Sequence, residues 1–223
     1  MIRLQRVSKV FGEGPARVPA LSDISFGIDK GDFAVLTGAS GAGKTTLLRL
    51  LYRDELPTEG EIEVADFDLT TLRRSEIPRL RRSIGIVFQD AKLLAGRTVF
   101  ENVAFVLRVL GTSRRDITPK AFAALKAVGL SARAQAYPNQ LSQGEAQRAS
   151  LARAIVKAPA LLLADEPTGN LDEQMAGEIL DLVKDIWSRG TTIVFATHQA
   201  RLVTQLRRRT LKLEGGHLVK DEG

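Results

Sequence analysis

Gly38-Ala39-Ser40-Gly41-Ala42-Gly43-Lys44-Thr45 follows the apolar run Phe33 to Thr37 and has the spacing of a phosphate-binding loop that opens a helix. Such a loop works through its backbone. Glycines at 38, 41 and 43 let successive N–H groups converge on an anion, and the helix starting near Lys44 turns its positive end to the same point. The Lys44 ammonium suits the β- and γ-phosphates of a nucleoside triphosphate and the Thr45 hydroxyl suits Mg²⁺, with Thr46 included in the cradle. The plainer alternative, three glycines that merely permit a tight turn, leaves the lysine unexplained. Asp165 and Glu166 end a second apolar run, 161–164. Strand ends are where α/β proteins place ligands, so Asp165 fits Mg²⁺ through water, and Glu166 fits a base for the water that attacks the γ-phosphorus. Two solvated acids are the simpler reading. His198 ends a further run, where a neutral imidazole is placed to donate to the γ-phosphate or the attacking water, or only to cap a core edge. Gln89 follows the run ending at Phe88. Its amide oxygen reaches Mg²⁺ or water only if its loop closes, which would make it a sensor.

These groups need elements with definable ends. Four short runs with little polar alternation, 33–36, 84–88, 161–164 and 192–196, read as strands buried on both faces. Helical segments between them predict an α/β fold of the P-loop NTPase kind, with a mainly parallel core sheet covered on both sides. Residues 2–10 and 21–29 predict an N-terminal antiparallel β subdomain around the turn Gly12-Glu13-Gly14-Pro15, and 210–214 and 217–220 flank Gly215-Gly216 as a hairpin. Between the second and third buried strands, 89–160 holds segments 99–110, 119–128 and about 144–156. The middle one has Thr118 as its cap and Pro119 at its first position. That is too much helix for one crossover, so an inserted α-helical subdomain over approximately 90–158 is expected within a single domain of residues 1–223. Asn170 and Glu173 read as a capping box before an amphipathic helix carrying Met175, Ile179, Leu182, Val183 and Ile186.

Composition narrows the classes. The chain has 223 residues, 44% hydrophobic, and a net charge of +6, which suits a globular protein with a sizeable core and excludes disordered or collagen-like structure. No cysteine occurs, which removes disulfides, thiol catalysis and cysteine zinc sites. The start lacks the apolar segment of a signal peptide, and the most apolar neighbourhood, 103–110, is broken by Arg108. Arginine groups at 73–74, 79–82, 114–115 and 207–209 read as solvated faces, or as contacts for nucleic acid or anionic lipid. No zinc-finger, homeodomain or aromatic RNA-binding pattern accompanies them, so no stable nucleic-acid partner is expected.

Leu141-Ser142-Gln143-Gly144-Glu145, followed by Ala146-Gln147-Arg148 and the aspartate-tipped run, resembles the signature segment of the ABC-transporter ATPases. With the phosphate loop, Gln89, Asp165-Glu166, Gly169-Asn170-Leu171-Asp172 and His198, the likeness covers essentially the whole chain in order. The opening residues 1–9, together with 38–48, 84–90 and 162–172, look most like the branch of that family acting in bacterial cell division. The resemblance implies the ABC ATPase fold and a head-to-tail dimer with two ATP molecules between the copies. Ser142, Gln143 and Gly144 of one copy would meet the γ-phosphate held by Lys44 of the other. Asp172 would join the opposing loops, and Phe11 would stack on adenine. Ser142 three residues before Glu145 is also a capping box, which needs no ligand. Two positions depart from the family: Gln143 stands where glycine is usual, adding strain if the backbone there is left-handed, and Gln199 stands where aspartate is usual.

The function so implied is hydrolysis of MgATP coupled to an integral membrane partner at the cytoplasmic face of the bacterial inner membrane. The alternatives are an ATPase subunit for lipoprotein release or efflux, a non-hydrolysing ATP-dependent scaffold, and a nucleic-acid-associated ATPase. Partner contact is expected after Gln89, where Leu93, Leu94, Val99, Phe100, Val103 and Phe105 either form an apolar surface ringed by Lys92 and Arg97 or pack inside the helical subdomain.

Overall fold

A computed structural model of the chain describes residues 1–12 and 14–222. Strands β1 (Ile2–Phe11) and β2 (Val18–Ile28) alternate buried and exposed side chains over much of their length and pair antiparallel, as a sheet with one face in the core requires. Of the turn expected between them, Glu13 lies outside the described residues. After β3 (Phe33–Thr37) and α1 (Lys44–Leu51) come β4 (Glu59–Val64) and β5 (Phe67–Asp68). β4 pairs with β1 and β5 with β4, completing the sheet order β2-β1-β4-β5. Sequence reading leaves this stretch as an insertion, because Glu59, Glu61 and Glu63 hide the alternation behind Ile62 and Val64.

The chain continues through α2 (Ile77–Ser83), β6 (Ile84–Val87), α3 (Val99–Val109), α4 (Arg114–Ala127), α5 (Gln143–Ile155), β7 (Leu161–Asp165), α6 (Glu173–Ser188), β8 (Thr192–Thr197), α7 (Ala200–Leu206), β9 (Arg209–Glu214) and β10 (His217–Glu222). The second sheet has the order β10-β9-β3-β8-β7-β6 and is parallel except for the β9–β10 hairpin. All four expected buried strands belong to it. Because they run in one direction, the phosphate loop after β3, Gln89 after β6, Asp165-Glu166 at β7 and His198 after β8 share one edge, the carboxyl edge of the sheet. One core fills the space between the two sheets around α1, with Leu4, Leu21, Ile24, Leu47, Leu50 and Leu51. The other lies under α3 to α6, with Val103, Leu107, Leu125, Leu151, Leu180 and Phe195.

Three expectations need correction. Helix α4 starts at Arg114, after Ser113, so Thr118 is no cap and Pro119 lies inside the helix. Ile117 is buried with Ala121, Ala124 and Leu125, and the extra apolar turn offsets the hydrogen bond that the proline ring removes. Helix α6 is capped by Asp172, which accepts the Met175 N–H at 2.9 Å, and not by an Asn170–Glu173 box. A carboxylate directly before the first turn both caps and complements the helix dipole. The apolar stretch after Gln89 is divided: Val99 and Val103 are fully buried, Leu93 and Phe100 pack against the core, and Leu94 and Phe105 are exposed. The Thr98–Glu101 capping box starts α3 so that residues 99, 103 and 107 face inward.

Candidate active site

The phosphate loop is walled by backbone from both sheets. A Cβ on Gly38 would run into the Leu213 carbonyl oxygen of β9, and one on Gly43 would stand 2.7 Å from the carbonyl oxygen of Ala20 in β2. Gly43, at φ 104°, is the residue before α1, so the first helical N–H groups open onto the loop without a side chain across them. Lys44 is only 4% exposed. Its Nζ donates to the Gly38 and Ala39 carbonyls at 2.9 and 3.0 Å and lies 3.2 Å from Glu166 Oε1. Ala42 is buried, whereas Ala39, Ser40, Gly41 and Thr45 are exposed; Thr46 is half-buried.

Glu166 connects the loop to β8. Its second oxygen, Oε2, is 2.7 Å from His198 Nδ1, and its N–H donates to the Ala196 carbonyl at 3.0 Å. Its φ of 47° is left-handed, unusual for a residue with a Cβ, and the neighbouring sheet holds it there. Asp165 accepts the Thr45 hydroxyl at 3.2 Å. Burial pushes its carboxyl pKa up; the Thr45 hydrogen bond opposes this, the Glu166 charge adds to it, and Lys44 again opposes. A cavity of about 520 Å³ opens beside this pair and is lined by Thr45, Arg49, Phe88, Gln89 and Asp165 among others. Gln89 is exposed, and its Nε2 donates to Asn170 Oδ1 at 3.4 Å.

The structure thus brings Gly38 to Thr46, Gln89, Asp165, Glu166 and His198 to one place. The signature segment stands apart: among the described residues, no hydrogen bond or ion pair joins Ser142, Gln143 or Gly144 to the phosphate loop. Ser142 caps α5 in the expected box with Glu145. Gln143 is the first residue of α5 and has no positive φ, so the strain considered for it does not arise. Gly144 is needed for packing, because a Cβ there would lie 2.6 Å from Met175 Sδ of α6. Phe11, at the end of β1, carries the Lys9 ammonium 4.7 Å from its ring centroid. Gln199 N–H donates to Thr197 Oγ1 at 3.1 Å, a role the usual aspartate backbone would equally fill.

Sequence reading misses three polar side chains that fix the backbone between β6 and α3. Gln147 Nε2 donates to the Phe88 carbonyl at 2.8 Å, and Arg153 donates to those of Ala91 and Lys92 at 2.8 and 2.7 Å. Asn102, fully buried, accepts the Leu94 N–H at 2.7 Å and donates to the carbonyls of Leu94, Arg97 and Thr98. The available signal was a lone arginine within 149–156, an otherwise small and apolar helical stretch.

A lysine-bearing anion loop facing a carboxylate–imidazole pair, with hard oxygens alongside, has the groups needed to hold a triphosphate and direct water at its end. Comparison with known proteins agrees. The family model described as ABC transporter matches residues 21–169. The chain is 47% identical over 222 residues to the cell division ATP-binding protein FtsE of Mycobacterium tuberculosis, covering 100% of this chain and 96% of that one. It is 44% identical over 222 residues to FtsE of Streptococcus pneumoniae, covering 100% and 95%. The dimeric post-hydrolysis structure of the ATP-binding cassette MJ0796 bound to ADP and Pi superposes with a TM-score of 0.90 at 33% identity, covering 100% of this chain and 98% of that one. The chain therefore belongs to the ABC transporter family, as one of its ATP-binding, ATP-hydrolysing subunits.

Proposed function

We propose that the chain hydrolyses MgATP between two head-to-tail copies of itself and, at the cytoplasmic face of the bacterial inner membrane, couples their closure to an FtsX-like integral membrane protein in cell division. The observation that carries the reading is the chain of contacts from Lys44 through Glu166 to His198 at the mouth of the phosphate loop. The full-length similarity to FtsE proteins supports the cell-division assignment, and the dimeric cassette supports the assembly.

Lys44 and the backbone N–H groups of 38–45 bind the β- and γ-phosphates, and Ser142 and Gly144 of the second copy complete the γ-phosphate's surroundings. Thr45, Asp165 and Gln89 would hold Mg²⁺. A hydroxyl and a carboxylate at 3.2 Å are hard oxygen donors, which suit an ion that keeps several waters and takes phosphate oxygens for the rest. Among the described residues, no cluster of three or more acidic, histidine or cysteine side chains builds an all-protein cage that would favour another metal. Bound there, Mg²⁺ would supply charge neutralisation on the phosphate oxygens.

Glu166 orients the attacking water and accepts its proton as oxygen bonds to the γ-phosphorus. The bond to the bridging oxygen breaks, and its electron pair leaves with ADP. His198 positions Glu166. With Nδ1–H donating to the carboxylate, a neutral ring has only a lone pair at Nε2, so donation from Nε2 to a phosphate requires the imidazolium. Glu166→Gln should keep ATP binding while turnover falls by roughly 10²- to 10⁴-fold. Light scattering with ATP and Mg²⁺ should then detect a trapped dimer. An unchanged hydrolysis rate would remove Glu166 from its role. A tagged chain purified from membranes should carry an FtsX-like protein, and recovery of a lipoprotein-release or efflux permease instead would reassign the partner.

A further inference from the structure

The segment between β6 and α3 has no regular structure across residues 89–98, apart from a turn at 95–96, yet its backbone is held by side chains. Two of them come from α5. Gln147 is 3% exposed and its Nε2 holds the Phe88 carbonyl at 2.8 Å, one residue before Gln89. Arg153 spans the Ala91 and Lys92 carbonyls with its two terminal nitrogens, at 2.8 and 2.7 Å, just beyond Gln89. Gln89 is therefore bracketed on both sides by bonds to one helix, and the opposite end of that helix carries Ser142. The helix itself is docked closely on β6: a Cβ on Gly85 would lie 2.9 Å from the Ala154 carbonyl oxygen. Lys92 is left-handed at φ 48°, a conformation that turns its carbonyl to the guanidinium at local cost.

We propose that Arg153, together with Gln147, is a positioning residue for ATP hydrolysis, tying the backbone that carries Gln89 to helix α5 so that Gln89 and the Ser142 end of the helix move as one body. The proposal rests on the reading that Gln89 and Ser142 both serve the γ-phosphate end of the site. A planar fork with parallel donors fits two successive carbonyls in a way that neither a lysine nor a neutral amide reproduces. Burial lowers the Arg153 pKa from its ordinary value, yet the guanidinium stays charged, so both bonds are charge-assisted. A loop free to close alone would let Gln89 sample the metal site in each copy independently. A tethered loop makes Gln89 report where the signature helix stands.

The absence of cysteine makes single-site labelling straightforward. A nitroxide on Asp90→Cys, at an exposed position beside Gln89, should give a restricted spectrum in the parent chain. Arg153→Gln should add a mobile component, and Arg153→Lys should fall between them. A second label on Val109→Cys, exposed on α3, should be unchanged in all three. In unlabelled chains, Arg153→Gln should lower kcat severalfold with KM for MgATP within about twofold of the parent, and Arg153→Lys should recover part of the loss. An unaltered spectrum at position 90, equal loosening at 109, or a rise in KM with kcat preserved would each overturn the tether. Gln89→Ala separates the two readings. If turnover survives that change, the role given to Gln89 fails, while the spectra still decide whether Arg153 holds the loop.

Discussion

Replacing Asn102 by leucine keeps the heavy-atom count and branching of a fully buried side chain and removes its four hydrogen bonds to the 94–98 backbone. Two of the four backbone groups retain other partners: the Leu94 carbonyl still accepts the Arg97 N–H at 3.0 Å, and the Thr98 carbonyl still accepts the residue-102 N–H at 2.9 Å. The Leu94 N–H and the Arg97 carbonyl lose their partner. At about 1–2 kcal/mol for each orphaned group, the loss is about 2–4 kcal/mol. Leu94 is 38% exposed, so water reaches part of the site and the lower end applies. With an m-value of roughly 2–3 kcal/mol/M for a chain of this size, the urea midpoint should fall by about 1 M at constant m. Nucleotide affinity, set chiefly at the phosphate loop 38–45, should hold. A midpoint within about 0.2 M of the parent would mean that these bonds contribute nothing net, and that apolar packing alone fixes the loop.

Two further predictions address the phosphate loop and the far end of α5. Gly38→Ala places a methyl group against the Leu213 carbonyl and should weaken binding of a fluorescent ATP analogue by roughly 10²-fold, with unchanged affinity refuting the wall described for the loop. Lys157 donates to the Arg81 carbonyl at 2.6 Å, and burial lowers its pKa to about 8. Its folded pKa lies below the ordinary 10.5, so the stability linked to this group is present above pH 10.5 and lost as pH falls through 8. The stability of Lys157→Met relative to the parent should therefore be greatest near pH 7 and shrink from pH 8 to 10.5 in urea titrations; a pH-independent difference would contradict the shift.

What could be read from sequence was what lies contiguous in it. Gly38 to Thr45 is one uninterrupted string, and each buried strand is a run whose apolar residues need no partner to be recognised. Asp165, Glu166 and His198 followed because they end such runs. Other features depended on what residues distant in the chain would meet. β4 pairs with β1 through a glutamate-rich stretch whose alternation is faint. Pro119 argued for a helix start, and only the burial of Ile117 on the inner face of α4 shows why the helix begins earlier. Gln147 and Arg153 bind carbonyls about sixty positions away, and a carbonyl belongs to every residue type, so nothing in the partner's identity marks it.

The wall that Leu213 presents to Gly38 also bears on biosynthesis. Translation delivers residues 38–45 well before β9, yet β9 lies directly beside β3 and closes one flank of the nucleotide cradle. Until β9 has paired with β3 the cradle therefore lacks one of its walls, and truncation before Arg209 removes that wall altogether. The phosphate loop is thus contiguous in sequence but depends for its shape on a strand made about 165 residues later.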